Sequence, residues 1–241
     1  MAQISVKAVR YQVDGITFEG HLVYHAGSTP SRGLLMAPNF FGISDAAIAQ
    51  AKRQVRENSV IFVADPFGVD TRPQTPEQAM AAMGPVRADN AMLRRRMNAA
   101  LDVLKDEAGK LGVAADNLAA FGFCFGGACV LELARQAAPV KAVASFHGLL
   151  QTPDPASTKT PQGAVLVLNG AADPLVPSEA IAGFEQEMNS VKADWQLVNF
   201  GGAVHSFTDE GADRPGENQY NAKVSRRAFA MMHDLFDEVL A

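Results

Sequence analysis

Six short apolar runs, each bounded by turn residues, most narrow the folds open to this 241-residue chain. They read GLLMAP (33–38), SVIFVAD (59–65), LAAFGF (118–123), VKAVASFH (140–147), GAVLVLNG (163–170) and WQLVNF (195–200). Such runs, without polar alternation, predict strands buried on both faces. Helical patterns over 44–57, 86–109, 125–136 and 178–191 lie between most of them, and a last long helix is expected over 216–239. Strands alternating with helices predict an α/β fold, with a mostly parallel central sheet of about eight strands and helices on both faces. Residues 4–13 and 16–24 alternate polar and apolar around Asp14-Gly15, which predicts an antiparallel hairpin at one edge. No repeat, low-complexity tract or linker interrupts the pattern, so residues 1–241 are read as one domain. The proline-rich stretch 66–85 is expected to be a loop with a short helical segment. It would pass over the C-terminal edge of the sheet, where such sheets bind ligands.

One of these strands runs into a turn that carries chemistry. Gly122-Phe123-Cys124-Phe125-Gly126 joins an apolar strand to a helix-forming run. Glycine, any residue, nucleophile, any residue, glycine between strand and helix is the signature of a nucleophile elbow. The glycines let the backbone fold close upon itself. The free N–H groups of a helix starting near Phe125 face the thiol and favour the thiolate, its reactive form. No lysine follows the glycines and no G-x-G-x-x-G is present, which argues against a phosphate loop or a dinucleotide site. The competing reading is a packed turn around an inert cysteine.

Two further residues weigh against that inert reading. Asp173 follows the strand VLVLNG in AADPLVP, and His205 follows WQLVNF in GGAVHSF. Nucleophile, acid and base thus occur in chain order, each just past its own strand, on one edge of the sheet. Taken singly, Asp173 reads equally well as an Asx-turn before Pro174, and His205 as an ordinary loop histidine. The shared order and placement argue against coincidence. His21 and His25 lie in the edge hairpin and His233 in the last helix. His147 ends a strand and is the one rival, without an evident acid beside it. Cys129 reads as helix packing. It lies about 140° around the helix from Cys124, which argues against a disulfide between the two, and two free thiols suit a reducing compartment.

Charge and composition then remove whole classes of function. A formal net charge of −5 and a pI near 5.5 argue against nucleic acid or an anionic membrane as partner. The cluster Arg94, Arg95, Arg96 reads as a solvated helix face. The N-terminus lacks a signal-peptide apolar core and no run approaches a membrane span, so a cytoplasmic protein is expected. No His, Cys or acidic pair has metal-ligand spacing, so neither metal nor cofactor is expected. The expected partner is a small-molecule ester, with the oligomeric state left open between monomer and homodimer.

GFCFGG, GAADPLVP and HSF together resemble the dienelactone hydrolase family of α/β-hydrolases, over essentially the whole chain. The resemblance implies a Cys124–His205–Asp173 triad, with His205 taking the thiol proton and Asp173 orienting the imidazole. It also implies an oxyanion hole made by the backbone N–H groups of Phe125 and Phe40. The departures bear on substrate. Asn39 stands where the family carries a glutamate, and Asp209 where it carries a carboxylate-binding arginine. A second family arginine has no clear counterpart in TPEQAMAAMG, and the sequence places neither Arg87 nor Arg214. Asn39 either donates a hydrogen bond near the oxyanion or caps its loop. With Phe41 it is expected to line the substrate site, and Phe40, Phe123 and Phe125 are expected to add apolar surface there.

The function so implied is a cysteine-nucleophile hydrolase of small neutral esters, aryl ester or lactone, working through a covalent Cys124 intermediate without metal. The alternatives are a phosphotriester hydrolase using the same triad, an activity the family includes, and a carboxymethylenebutenolidase-type dienelactone hydrolase. Two functions of another class are weaker. A thiol redox sensor would need a resolving thiol that Cys129 is badly placed to supply, and a catalytically dead binding module would usually lack a triad member.

Overall fold

The computed structural model describes residues 3–241. In chain order its elements are β1 (Ile4–Val13), β2 (Ile16–His25), β3 (Arg32–Ala37), α1 (Asp45–Gln54), β4 (Ser59–Val63), α2 (Pro76–Ala88), α3 (Asn90–Gly109) and β5 (Leu118–Phe123). There follow α4 (Phe125–Arg135), β6 (Ala142–Phe146), β7 (Ala164–Gly170), α5 (Ser178–Ser190), β8 (Trp195–Phe200), the two short strands β9 (Asp213–Arg214) and β10 (Asn218–Gln219), and α6 (Ala222–Val239). Eight strands form one sheet in the order β1-β2-β4-β3-β5-β6-β7-β8. All pairs from β4 to β8 are parallel, while β2 runs antiparallel to β1 and β4. The apolar runs and the edge hairpin therefore occupy the places their patterns predict.

The sheet carries a core on each face because side chains alternate across it. Leu118 and Ala120 of β5, with Val165 and Val167 of β7, pack under α3, α4 and α5. Ala119, Phe121 and Phe123 of β5, with Leu166 and Leu168 of β7, pack under α1 and α6. Nearly every residue of β3 to β7 is buried, which is why their sequences read as unbroken apolar runs.

Two expectations need correction. The stretch 66–85 is not mainly loop, because α2 begins at Pro76 with Thr75 as its cap, the Thr75 side chain accepting from Gln78 N–H. Pro85 sits inside α2, near its end, instead of opening the next helix. The break comes at Asp89, whose carboxylate caps α3 by accepting from Met92 N–H. The last helix begins at Ala222 and not near 216, capped by Asn221. The residues before it are used by a small hairpin, β9–β10, turned at Pro215-Gly216, where Gly216 has φ of 82° and Glu217 N–H donates to Arg214 O at 3.1 Å. Proline followed by glycine is a turn signal that a helical pattern should have yielded to.

The strand order reverses at β3, which is flanked by β4 on one side and β5 on the other. Ala37 pairs with Gly122, Phe123 with Phe146 and Gly170 with Phe200, so β3, β5, β6, β7 and β8 end at one edge. The loops after these strands surround that switch point, where open α/β sheets hold their ligands.

Candidate active site

Cys124 stands between β5 and α4 with φ of 54° and ψ of −115°, a conformation that costs an L-residue of order 1–3 kcal/mol. The local sequence makes room for it. A side chain at Gly122 would overlap the backbone carbonyl of Gly126, and one at Gly126 would overlap the carbonyl of Ala37. The Cys124 N–H donates to Phe146 O at 3.0 Å, and Ala128 N–H donates to Cys124 O at 3.3 Å, which fixes the turn at both ends. No side chain caps α4, so its first N–H groups are left to whatever occupies the space beside the thiol.

His205 lies in the loop after β8, buried at 4% exposure, and Asp173 in the loop after β7, buried at 5%. His205 Nδ1 is 2.7 Å from Asp173 Oδ2. The other carboxylate oxygen, Oδ1, accepts from Leu175 N–H at 2.8 Å. Asp173 therefore makes an Asx-turn and holds the histidine, so the two readings of this residue are not exclusive. The small hairpin holds the histidine backbone: His205 N–H donates to Glu217 O, and Gln219 N–H donates to His205 O. Burial alone would strip the proton from His205. The hydrogen bond to Asp173 and the neighbouring Cys124 sulfur outweigh that and push the imidazole up to about 10.

Cys124 and His205 share a cleft of about 660 Å³ whose wall also includes Asn39, Phe40 and Phe41. Asn39 Oδ1 accepts from Phe41 N–H at 3.1 Å and Gly42 N–H donates to Asn39 O at 2.9 Å, so the side chain caps this turn. The cap uses Oδ1, and the donor role read for the amide nitrogen is compatible with it. Among the described residues the N–H groups of Phe40 and Phe125 donate to no protein acceptor. The expectation for the Phe125 ring is corrected: it is fully buried and stacks on Phe67 at 5.9 Å, inside the core. Phe123 is also buried and lies against Phe146, turned from the cleft by strand alternation.

Other residues supply the apolar wall. Pro76, Met80, Met83 and Arg87 of α2 line the cleft, as do Leu149 and Leu175. Their positions on α2 step by four, three and four, which is one face of a helix, and that stripe was the missed signal. Met80 and Leu175 are 56% and 51% exposed, a rim of apolar side chains open to solvent. Arg87, Arg214, Asp209 and Asp213 all line the cleft, and Arg214 pairs with Glu217 at 3.9 Å. Arg87, three residues beyond TPEQAMAAMG, thus places a cation on the cleft face of α2. The root of α2 is tied down by buried Asp65, which accepts from Phe67 N–H and Gly68 N–H at 3.0 Å each and pairs with Arg72 at 2.8 Å.

The rival nucleophile partners are accounted for. Cys129 is buried, and burial pushes its thiol well up, which leaves it inert. His147 is buried at 2% exposure, and burial followed by the His205 charge lowers it well below its ordinary value, so it is neutral. Its Nε2 is 2.8 Å from Thr208 Oγ1, and its ring meets that of His205 edge-on at 5.1 Å.

A parallel sheet with a strained strand-to-helix turn, and a histidine and an acid on neighbouring strand ends, defines an α/β-hydrolase. The sequence pattern of the dienelactone hydrolase family matches residues 18–240, and the chain belongs to that family. It is an ester-hydrolysing enzyme of the family. A solved structure described as a dienelactone hydrolase-like promiscuous phosphotriesterase, P91, from metagenomic libraries superposes with a TM-score of 0.89 at 34% identity, covering 100% of both chains. A structure named m3DLH superposes with a TM-score of 0.88 at 35% identity over 99% of each. An uncharacterized protein of Caenorhabditis elegans is 33% identical over 156 residues, 63% of this chain and 97% of that protein.

Proposed function

We propose that this hydrolase works by covalent catalysis through Cys124, with His205 and Asp173 as its partners, on small neutral esters. The observation that carries the reading is one arrangement: a thiol on a strained helix N-terminus, in one cleft with a histidine bonded to a buried carboxylate. Bonded to Asp173, the imidazole is favoured in its protonated form, so His205 takes the thiol proton as Cys124 becomes the attacking thiolate. The thiolate attacks the carbonyl carbon, and the oxygen that gains charge is received by the N–H groups of Phe40 and Phe125. When the intermediate collapses, the C–O bond to the alcohol breaks and His205 Nε2 gives its proton to the departing oxygen. Water then attacks the acyl-cysteine, with His205 taking its proton, and the thiolate returns.

Neutrality of the substrate follows from the charges in the cleft, where Arg87 and Arg214 are matched by Asp209 and Asp213. An anionic group would gain from the arginines and lose to the aspartates, while a neutral ester meets the apolar wall of Met80, Met83, Leu149 and Leu175. A second reading, hydrolysis of neutral aryl phosphotriesters by the same groups, is supported by full-length likeness at 34% identity to a promiscuous phosphotriesterase. One experiment tests both. Phenyl acetate and a neutral aryl phosphotriester are each mixed with the enzyme, quenched early and read by peptide mass spectrometry. An acetyl or phosphoryl adduct on Cys124, with turnover of the same compound lost in Cys124→Ala, is the expected result. Turnover of both compounds in Cys124→Ala refutes the proposal.

A further inference from the structure

Beside the main cleft lies a second, smaller cavity of about 250 Å³, between α1 and the loop that follows His205. Whole-ligand pockets run about 300–1,000 Å³ and one liquid water takes about 30 Å³, so this space suits one ring with a substituent. Met36, Pro38, Ala47 and Phe123 give it an apolar floor. Two of its wall residues are buried polar groups with an atom left without any protein partner: Gln50 Nε2, on a residue 9% exposed, and His147 Nδ1, on one 2% exposed. Buried polar atoms are almost always satisfied, so a pair left open in one cavity points to a ligand that meets both.

The chemistry of the walls fixes what that ligand carries. The amide nitrogen of Gln50 is a donor, and Gln50 Oε1, which accepts from Arg53, fixes it as the atom left without a partner. Neutral His147 offers Nδ1 as an acceptor when Nε2 carries the proton toward Thr208. A hydroxyl or an ether-type oxygen on an aromatic ring matches this pair, whereas Asp209 and Glu210 outnumber the single cation of the wall, Arg53, and disfavour an anion. Position fixes the rest. The cavity shares Asn39, Ser206, Asp209 and Gly211 with the main cleft. Ser206, Asp209 and Gly211 lie in the loop after His205, which itself lines the main cleft, and the oxygen that leaves must come to His205 Nε2 for its proton. The leaving group therefore departs over the 206–211 loop, away from Met80 and Leu175.

We propose that the cavity between α1 and residues 206–211 is the leaving-group compartment of this enzyme and binds a small neutral phenol, held by Gln50 Nε2 and His147 Nδ1. The proposal rests on the Cys124 reading above. Ala46 lines the cavity from the exposed first turn of α1, so Ala46→Phe fills it without disturbing the core. Hydrolysis of phenyl acetate is compared with that of trifluoroethyl acetate, an activated alkyl ester with the same acyl group. In Ala46→Phe, kcat/KM for the phenyl ester should fall at least about tenfold more than for the alkyl ester. Competitive inhibition by phenol should weaken by a similar factor. An unchanged ratio together with an unchanged phenol inhibition constant overturns the compartment. Hydrolysis of both esters by Cys124→Ala overturns the nucleophile instead, and calorimetric titration of phenol into that variant, with and without Ala46→Phe, still decides the compartment.

Discussion

His205 Nδ1 and Asp173 Oδ2 are 2.7 Å apart, in a setting where both side chains are almost wholly removed from water. The folded imidazole holds its proton up to about 10, above the ordinary value of 6.5. A group raised on folding contributes stability that is complete below its unfolded value and is lost as the pH climbs through its folded value. Thermal melts should therefore show wild-type stability declining from pH 6.5 toward 10. In Asp173→Asn only Cys124 is left to oppose burial, so the imidazole should titrate lower than in wild type and this decline should shrink. Histidine nitrogen NMR would read the same shift directly, and an Asp173→Asn titration matching wild type would contradict the assignment.

Cys124 is strained and Cys129 is not, which gives the two thiols different signatures. Relief of the positive φ should make Cys124→Gly more stable than Cys124→Ala by about 1–2 kcal/mol. Both variants should lose turnover by several orders of magnitude. Cys129→Ala should keep turnover and lose about 1 kcal/mol from its small cavity. Denaturant unfolding with esterase assays on the three proteins checks this, and equal stability of the Gly and Ala variants would show the turn to be relaxed.

Gly126 and Gly183 should respond to alanine in opposite directions. The first has the Ala37 carbonyl where a Cβ would go, and the second, exposed inside α5, has nothing within 4 Å. Gly126→Ala forces backbone to move and should cost about 1–3 kcal/mol or more. Gly183→Ala removes a helix-interior glycine and should add about 0.5–1 kcal/mol. Differential scanning calorimetry reads both, and a stabilised Gly126→Ala would mean that α4 does not press against the end of β3.

Arg87 lines the cleft, is half-buried and makes no ion pair among the described residues. Arg87→Gln should leave phenyl acetate kcat/KM within about threefold, while inhibition by benzoate weakens about tenfold, as expected for losing one charged hydrogen bond. A larger loss on phenyl acetate than on benzoate binding would show that Arg87 serves the neutral substrate.

Much of this was legible in the sequence because burial writes itself into local pattern. Strands β3 to β7 are covered on both faces and read as apolar runs. The elbow is legible for another reason: only glycine tolerates the approach of the Ala37 carbonyl to Gly126. The placement of Asp173 and His205 followed from counting strands. What escaped notice depends on contacts distant in sequence. The α2 stripe faces a cleft rather than a core, so its exposed Met80 carries no burial signature. The hairpin at 213–219 is too short to show alternation, and its role is to hold the backbone of His205. Nearness along the chain does not place the rings of Phe123 and Phe125: the helix direction turns Phe125 into the core, and the strand direction turns Phe123 from the main cleft toward the smaller cavity.

The Asp65 clasp gives this architecture a seam. It fixes the root of the 66–75 segment from the sheet side, and everything beyond it, through α2, meets the cleft only along one face. The thiol, the histidine, the acid and the two candidate oxyanion donors all sit on other strand ends. On the proposed reading residues 69–88 select the acyl group, so exchanging them between relatives should alter that selection while leaving Cys124, His205 and Asp173 on their own strand ends.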